Sequence, residues 1–213
     1  MHHPPPLTPP CDIKYITRLN KHRVVSYIFI TKSWIAEITE ILENMEVRIL
    51  TEKDAEAFWN IRLRALRDNP ESFGATFEEF LERGIAGVTQ GLRKKTTSPD
   101  DVTFGAFERT IVGIAGFRRE EEAKRHHKAV IWGMYVPREA RGKGIGKALL
   151  EAAIAYAKTL PDLEQINLSV VLTSREARGL FISLGFEPYG LERHALKLHN
   201  KYFDQELMTL RLI

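Results

Sequence analysis

The residues best suited to chemistry lie in one stretch, Val136–Leu150, which reads VPREARGKGIGKALL. Gly142, Gly144 and Gly146 alternate there, and Arg141, Lys143 and Lys147 surround them. The nearly all-apolar run Ala129–Val136 comes before, and Ile145, Ala148, Leu149, Ala152, Ala153, Tyr156, Ala157 and Leu160 follow with the period of a helix. A helix that starts in such a loop has backbone N–H groups without intrahelical acceptors, and its dipole favours an anion. Glycine lets a ligand come close to the backbone and permits positive φ. Strand, glycine loop, basic residues and helix together describe a phosphate cradle. A Walker loop does not fit: Gly142 and Gly146-Lys147 are one residue too close, and Ala148 stands where a magnesium-binding hydroxyl belongs. A dinucleotide fingerprint does not fit either, because Lys147 occupies the place of its third glycine.

The order R-G-x-G-I-G and then a helix resembles the [QR]-x-x-G-x-[GA] loop of the GNAT superfamily of N-acetyltransferases, with Arg141, Gly144 and Gly146 on the motif positions. The resemblance runs from about Glu46 to Ile213 and is to the bacterial type, whose small acceptors are unassigned. It implies acetyl-CoA as co-substrate, no metal, and direct acetyl transfer to a primary amine of a small molecule, protein or peptide. It also implies that Arg141, Gly142, Lys143, Gly144, Ile145, Gly146 and Lys147 hold the pyrophosphate, largely through backbone N–H groups. Met134, Tyr135 and Val136 would run beside the pantetheine arm, with backbone N–H groups polarising the thioester carbonyl. The stretch LTSREARGLFISLGF resembles the family's last block, N-x-x-A-x-x-L-Y-x-x-x-G-F. Ala177, Leu180, Gly185 and Phe186 match, whereas Ser174 replaces Asn and Phe181 replaces Tyr. Ser174, Ala177 and Phe181 are thus expected along the cofactor. In many members that Tyr protonates the departing thiolate, and Phe has no proton to give.

An alkylammonium has a pKa of about 10, so transfer at neutral pH needs a proton acceptor. The central strand carries no carboxylate. Glu78 and Glu79, at the start of a predicted helix, are candidates for the base, although acids there also suit a helix N-terminus. His126 and His127 sit in EEEAKRHHK and read as a solvated loop. Tyr189 and Tyr202 are candidate acids; Tyr135 is expected to pack. Trp59 and Phe73 could wall an acceptor pocket or belong to the core. The alternative reading is a non-catalytic acyl-CoA-binding regulatory module, supported by the missing Tyr.

These groups need a frame. Residues 45–213 predict a mixed α/β, mostly antiparallel, twisted sheet of about seven strands with four helices, in the order β-α-α-β-β-β-α-β-α-β-β. Thr51 with Asp54, and Thr76, offer helix starts, Asn69-Pro70 a stop and Arg109-Thr110 a hairpin turn. The last two strands are expected near 186–198 and 205–212, separated by HNKY. Residues 1–44 read as an extension, proline-rich and largely disordered at first, with a short amphipathic helix at Ser33–Glu43. This segment is expected to be dispensable for cofactor binding.

A net charge of +3 with 28 acidic residues argues against nucleic acid, since the densest basic cluster is explained by the cradle. No run reaches the ~18 apolar residues of a membrane span. One cysteine, Cys11, excludes an internal disulfide. The expectation is a cytoplasmic enzyme, monomer or homodimer, acting without membrane or nucleic acid.

Overall fold

The apolar periods of the sequence become strands and helices with few surprises. In the computed structural model the described residues are 15–20, 23–28 and 45–212. Tyr15–Asn20 (β1) and Arg23–Ile28 (β2) form an antiparallel hairpin in which Asn20 faces Arg23. The sequence reading placed no strand here. The segments YITRLN and RVVSYI are rich in β-branched and aromatic residues, and that β-propensity lies just after the proline-rich start. The helix expected at Ser33–Glu43 falls outside the described residues.

From Glu46 onward the elements follow the expected order. They are β3 (Glu46–Ile49), α1 (Ala55–Asp68), α2 (Phe77–Thr96), β4 (Asp101–Phe107), β5 (Ile111–Arg119), β6 (Lys128–Tyr135), α3 (Ile145–Ala157), β7 (Gln165–Val171), α4 (Arg175–Ser183), β8 (Glu187–Leu198) and β9 (Lys201–Arg211). One seven-stranded sheet runs β3-β4-β5-β6-β7-β9-β8, so the apolar β6 is its middle strand. Within this sheet, among the described residues, only β6 and β7 pair in parallel; every other pair is antiparallel. The mixed, mostly antiparallel architecture is the one the sequence predicted.

Side-chain alternation along β5 assigns the layers. Gly113 faces α3: a β-carbon there would lie 2.9 Å from Leu149 Cδ1 and 3.0 Å from Ile145 Cγ2. Its neighbour Ile114 points the other way, into a core shared with Phe58, Ile61 and Leu66 of α1 and Phe80, Val88 and Leu92 of α2. Helices therefore cover both faces of the sheet. Burying Leu149 and Leu150, both 0% exposed, stabilises the α3 layer by about 2 kcal/mol each.

The turns obey local chemistry. Asn69-Pro70 stops α1, and α2 opens with a capping box, Thr76 N donating to Glu79 Oε2 at 2.8 Å and Glu79 N to Thr76 Oγ1 at 3.1 Å. The last hairpin differs from expectation. Its turn is only His199-Asn200, with φ of 45° and 62°, so Lys201 and Tyr202 belong to β9. Two consecutive left-handed residues make the tight turn that matches the strand twist.

The entry to α1 gives a testable pH effect. Arg48 donates to both carboxylate oxygens of Asp54 (2.8 and 2.7 Å), and Thr51 N donates to Oδ2 at 2.8 Å. The Arg48 hydrogen bonds, reinforced by those from Thr51, hold the Asp54 carboxyl down at about 2, below its ordinary 3.8. The unfolded chain therefore binds this proton more readily. The stabilisation is complete above about pH 4 and is lost as pH falls toward 2; it amounts to on the order of 1–2 kcal/mol, given half-exposed Arg48. Thermal melts of Asp54→Asn should show a lower Tm than wild type at pH 6 and convergence with it by pH 2. A constant gap across that range would refute the assignment.

Candidate active site

The middle of the sheet opens. Strands β6 and β7 pair only through Lys128–Gln165, Ala129–Ile166 and Val130–Asn167. Past those residues each strand stays bonded to its outer neighbour: β6 to β5 as far as Tyr135, and β7 to β9 as far as Val171. The cause lies in β6. Gly116 pairs with Trp132 but Ile114 pairs with Tyr135, so Gly133 and Met134 together oppose Ala115. This is a bulge, with Gly133 at φ +63°, and a bulge bends the bulged strand. Between the diverging strands lies a cavity of about 1020 Å³, walled by Val130–Val136, Leu168–Val171, the glycine loop, the start of α4 and the segment after α1. Its size suits a large ligand. The facing backbone edges of Ile131–Tyr135 and Leu168–Val171 lack a strand partner, and such edges hydrogen-bond an extended ligand readily.

The glycine loop forms one end of this cavity. Gly144 is the N-cap of α3, left-handed at φ +81°, with no side-chain cap and no acid in the first turn. Ala148 N is the first amide to bond back to Gly144 O, at 3.0 Å. The amides of Ile145, Gly146 and Lys147 therefore have no intrahelical partner. A β-carbon on Gly142 (φ +79°) or Gly144 would meet nothing within 4 Å, so the backbone faces open space. That arrangement fits a pyrophosphate. Gly146 has a different reason: a β-carbon there would lie 3.0 Å from Leu180 Cδ2 and 3.2 Å from Met134 Cε, so glycine allows β6, α3 and α4 to pack.

Every residue assigned to acetyl-CoA from the sequence lines this cavity except Lys143, which is turned to Glu108 at 3.4 Å. Arg141 braces the loop, donating from Nε to Val136 O at 3.0 Å, with Nη1 3.8 Å from Glu176. Ser174 stands at the N-cap position of α4 without a side-chain capping bond, its hydroxyl 3.5 Å from that of Ser72 across the cleft. Phe181 is buried yet lines the cavity, and it packs edge-on against Phe186 at 6.0 Å. Tyr135 packs as expected, and its hydroxyl donates to Asp68 Oδ2 at 2.6 Å. Burial and that carboxylate raise the phenol well above its ordinary value, so its proton is firmly held.

The acid–base candidates are not brought to the cleft. Glu79 is engaged in the capping box, Glu78 is exposed beside it, and neither lines the cavity. Tyr189 and Tyr202 are 57% and 52% exposed on β8 and β9, the outermost hairpin, away from this wall. Tyr202 stacks on His194 at 4.5 Å. His126 is exposed in the turn before β6, at the end opposite the bulge, with Nδ1 3.0 Å from Glu120 O. The wall does contain two carboxylates, Glu71 and Glu176, and a buried cation, Arg62. Sequence reasoning missed Glu71 and Arg62. For Arg62 a signal existed: it interrupts the buried stripe of Phe58, Ile61, Ala65 and Leu66. Among the described residues no group of three or more His, Cys, Asp or Glu could hold a metal, and no helix is long and apolar enough to cross a membrane.

Known structures share this fold. An acetyltransferase of the GNAT family from Streptococcus pneumoniae superposes with a TM-score of 0.72 at 21% identity, covering 78% of this chain and 99% of that one. A GCN5-related N-acetyltransferase from Kribbella flavida gives 0.66 at 24%, covering 80% and 99%. The protein yncA from Salmonella typhimurium, solved with its cofactor acetyl-CoA, gives 0.67 at 18%, covering 80% and 95%. At such identities these show a shared fold. The sequence itself matches the family model described as Acetyltransferase (GNAT) family over residues 45–186, well over half of the chain. That match takes in the bulged strand, the bare helix N-terminus and the last block together, and it makes the protein a member of the GNAT family of acetyltransferases.

Proposed function

We propose that the chain transfers the acetyl group of acetyl-CoA directly to an amine held at the α1 side of the opened sheet. The observation that carries this is the uncapped α3 N-terminus opening onto the cleft between β6 and β7. The free amides of Ile145, Gly146 and Lys147, with the backbone at Gly142 and Gly144, would hold the pyrophosphate. The unpaired edges of β6 and β7 would hold the pantetheine amides. When bound, acetyl-CoA supplies the activated acetyl group.

Proton transfer then rests on this chain's side chains. Of the two carboxylates in the wall, Glu176 lies 3.8 Å from Arg141, whereas Glu71 forms no ion pair among the described residues. Glu71 stands in the short turn Pro70–Ser72, where α1 hands the chain to the cleft. We assign it the ammonium proton. Tyr135, tied to Asp68, is a poor donor to a leaving thiolate, and Phe181 has none to give, so protonation of the thiolate falls to solvent in the open cavity.

Calorimetry with acetyl-CoA, followed by thiol release across a panel of amines, tests the reading. No heat of binding would refute it; binding without turnover of any amine would favour the regulatory alternative. One substitution probes the sulfur end. Phe181 lines the cavity, so Phe181→Tyr adds a hydroxyl that can face the cleft. We expect the variant to fold normally and to keep kcat equal to or above wild type. A sharp loss of kcat with unchanged acetyl-CoA affinity would mean that this ring belongs to a dry wall.

A further inference from the structure

Arg62 is 7% exposed, in the middle of the apolar face of α1, and it lines the cleft. Its Nη1 has no hydrogen-bond partner, and the guanidinium forms no ion pair among the described residues. Its electrostatic neighbour is another cation, Arg83, and burial and that neighbour pull its pKa down to about 10, so it stays charged at neutral pH. A second buried donor without a partner, Trp59 Nε1, sits one turn earlier on the same helix. Both atoms can only donate, so what each lacks is an acceptor. A buried unpaired charge is strongly destabilising and is retained where a partner arrives from outside.

The surroundings define that partner. The Phe73 ring covers one face of the guanidinium, 4.4 Å from its carbon, which leaves the in-plane edge for recognition. Nη1 lies 3.5 Å from where a β-carbon of Gly133 would sit. The charge therefore stands at the bulge of β6, at Gly133, whereas the glycine loop that suits the pyrophosphate begins only at Gly142. A planar fork presented edge-on matches a carboxylate bidentately.

We infer that Arg62 is the anchor for a carboxylate on the acceptor, so that the substrate is an amino-carboxylate whose charged end is held at the β6 bulge. This deepens the acetyl-transfer reading and rests on it. Glu71 in the same wall complements the ammonium end, so that the cleft pairs a buried cation with a carboxylate that has no ion pair among the described residues, as a zwitterion requires.

The test uses the full chain, α-, β- and γ-amino acids, and the matching amino-acid amides, with thiol release as the readout. The amides are less basic, so more of their amine is neutral and any bias runs against the inference. Wild type should favour acid over amide by about 100-fold in kcat/KM, as expected when one partner of a buried charge pair is removed. Arg62→Met should collapse that ratio to near one, chiefly by raising KM for the acid. Equal use of acid and amide by wild type, a preference that survives in Arg62→Met, or no turnover of any amino acid while acetyl-CoA binds would each overturn it. Failure to bind acetyl-CoA would instead sink the acetyl-transfer reading. Melts supply a readout free of turnover. Removing an unpaired buried cation should raise Tm by about 2–4 °C, and the preferred amino acid should stabilise wild type but not Arg62→Met. A fall in Tm of similar size would mark Arg62 as a structural prop and overturn the inference.

Discussion

Gly144→Glu should weaken acetyl-CoA binding by at least 100-fold while leaving the fold intact. Gly144 holds φ +81° at the N-cap of α3, and a non-glycine residue there costs about 1–2 kcal/mol. The substitution also sets a carboxylate where three free amides and the helix dipole attract an anion, and a like charge at a bound phosphate costs several kcal/mol. The two effects can be separated. A β-carbon at Gly144 meets nothing within 4 Å, so Gly144→Ala carries the backbone penalty alone and should lose about tenfold. Calorimetry on both variants, with circular dichroism to confirm folding, reads the difference. Equal affinity of Gly144→Glu and wild type would remove the pyrophosphate from this loop.

The loop was legible because its physics is local. Alternating glycines, basic residues and a helix period within fifteen residues dictate a bare helix start wherever the chain folds. The same holds for the Arg109-Thr110 hairpin, for Thr76 as a helix start, and for β6, whose apolar run foretold a central strand. The cleft itself was not legible. It exists because β6 and β7 stop pairing after Val130 and Asn167, and which strands pair, and for how long, is decided by partners far apart in the chain. The bulge that parts them needs the register between Gly116 and Trp132, which no window around Gly133 contains.

The charged residues of the cleft divide along the same line. Glu78 and Glu79 drew attention as an acidic pair at a helix start, and the structure uses Glu79 to cap that start. Glu71 sits in an unremarkable turn and gains its position only when α1 packs on β5 and delivers that turn to the cleft. Tyr189 and Tyr202 have suitable chemistry, but β8 and β9 form the hairpin at one edge of the sheet, and sheet order cannot be read from side-chain type. Arg62 is the intermediate case. A lone arginine on an apolar helical face is visible in the sequence, yet only its lack of a partner among the described residues gives it meaning.

Glu71→Gln should lower kcat/KM by about 10²–10⁴-fold at neutral pH, the usual contribution of a positioned base. The amide keeps the shape of the carboxylate but cannot take a proton. Without the base, reaction depends on the fraction of acceptor already neutral in solution, which rises about tenfold per pH unit until the pKa of the amine near 10. The deficit should therefore be greatest near pH 7 and should shrink steadily toward pH 10. Glu176→Gln is the control: it removes the other carboxylate of the wall, 3.8 Å from Arg141 and largely exposed, and should change kcat by less than about threefold. Acetyl-CoA affinity, measured by calorimetry, should be unchanged in Glu71→Gln, since Glu71 lies outside the glycine loop. Rates of wild type and both variants from pH 6 to 10 decide the matter. A Glu71→Gln profile parallel to wild type, with a loss under threefold, would mean that the ammonium proton leaves by another route and that Glu71 serves only to shape the wall.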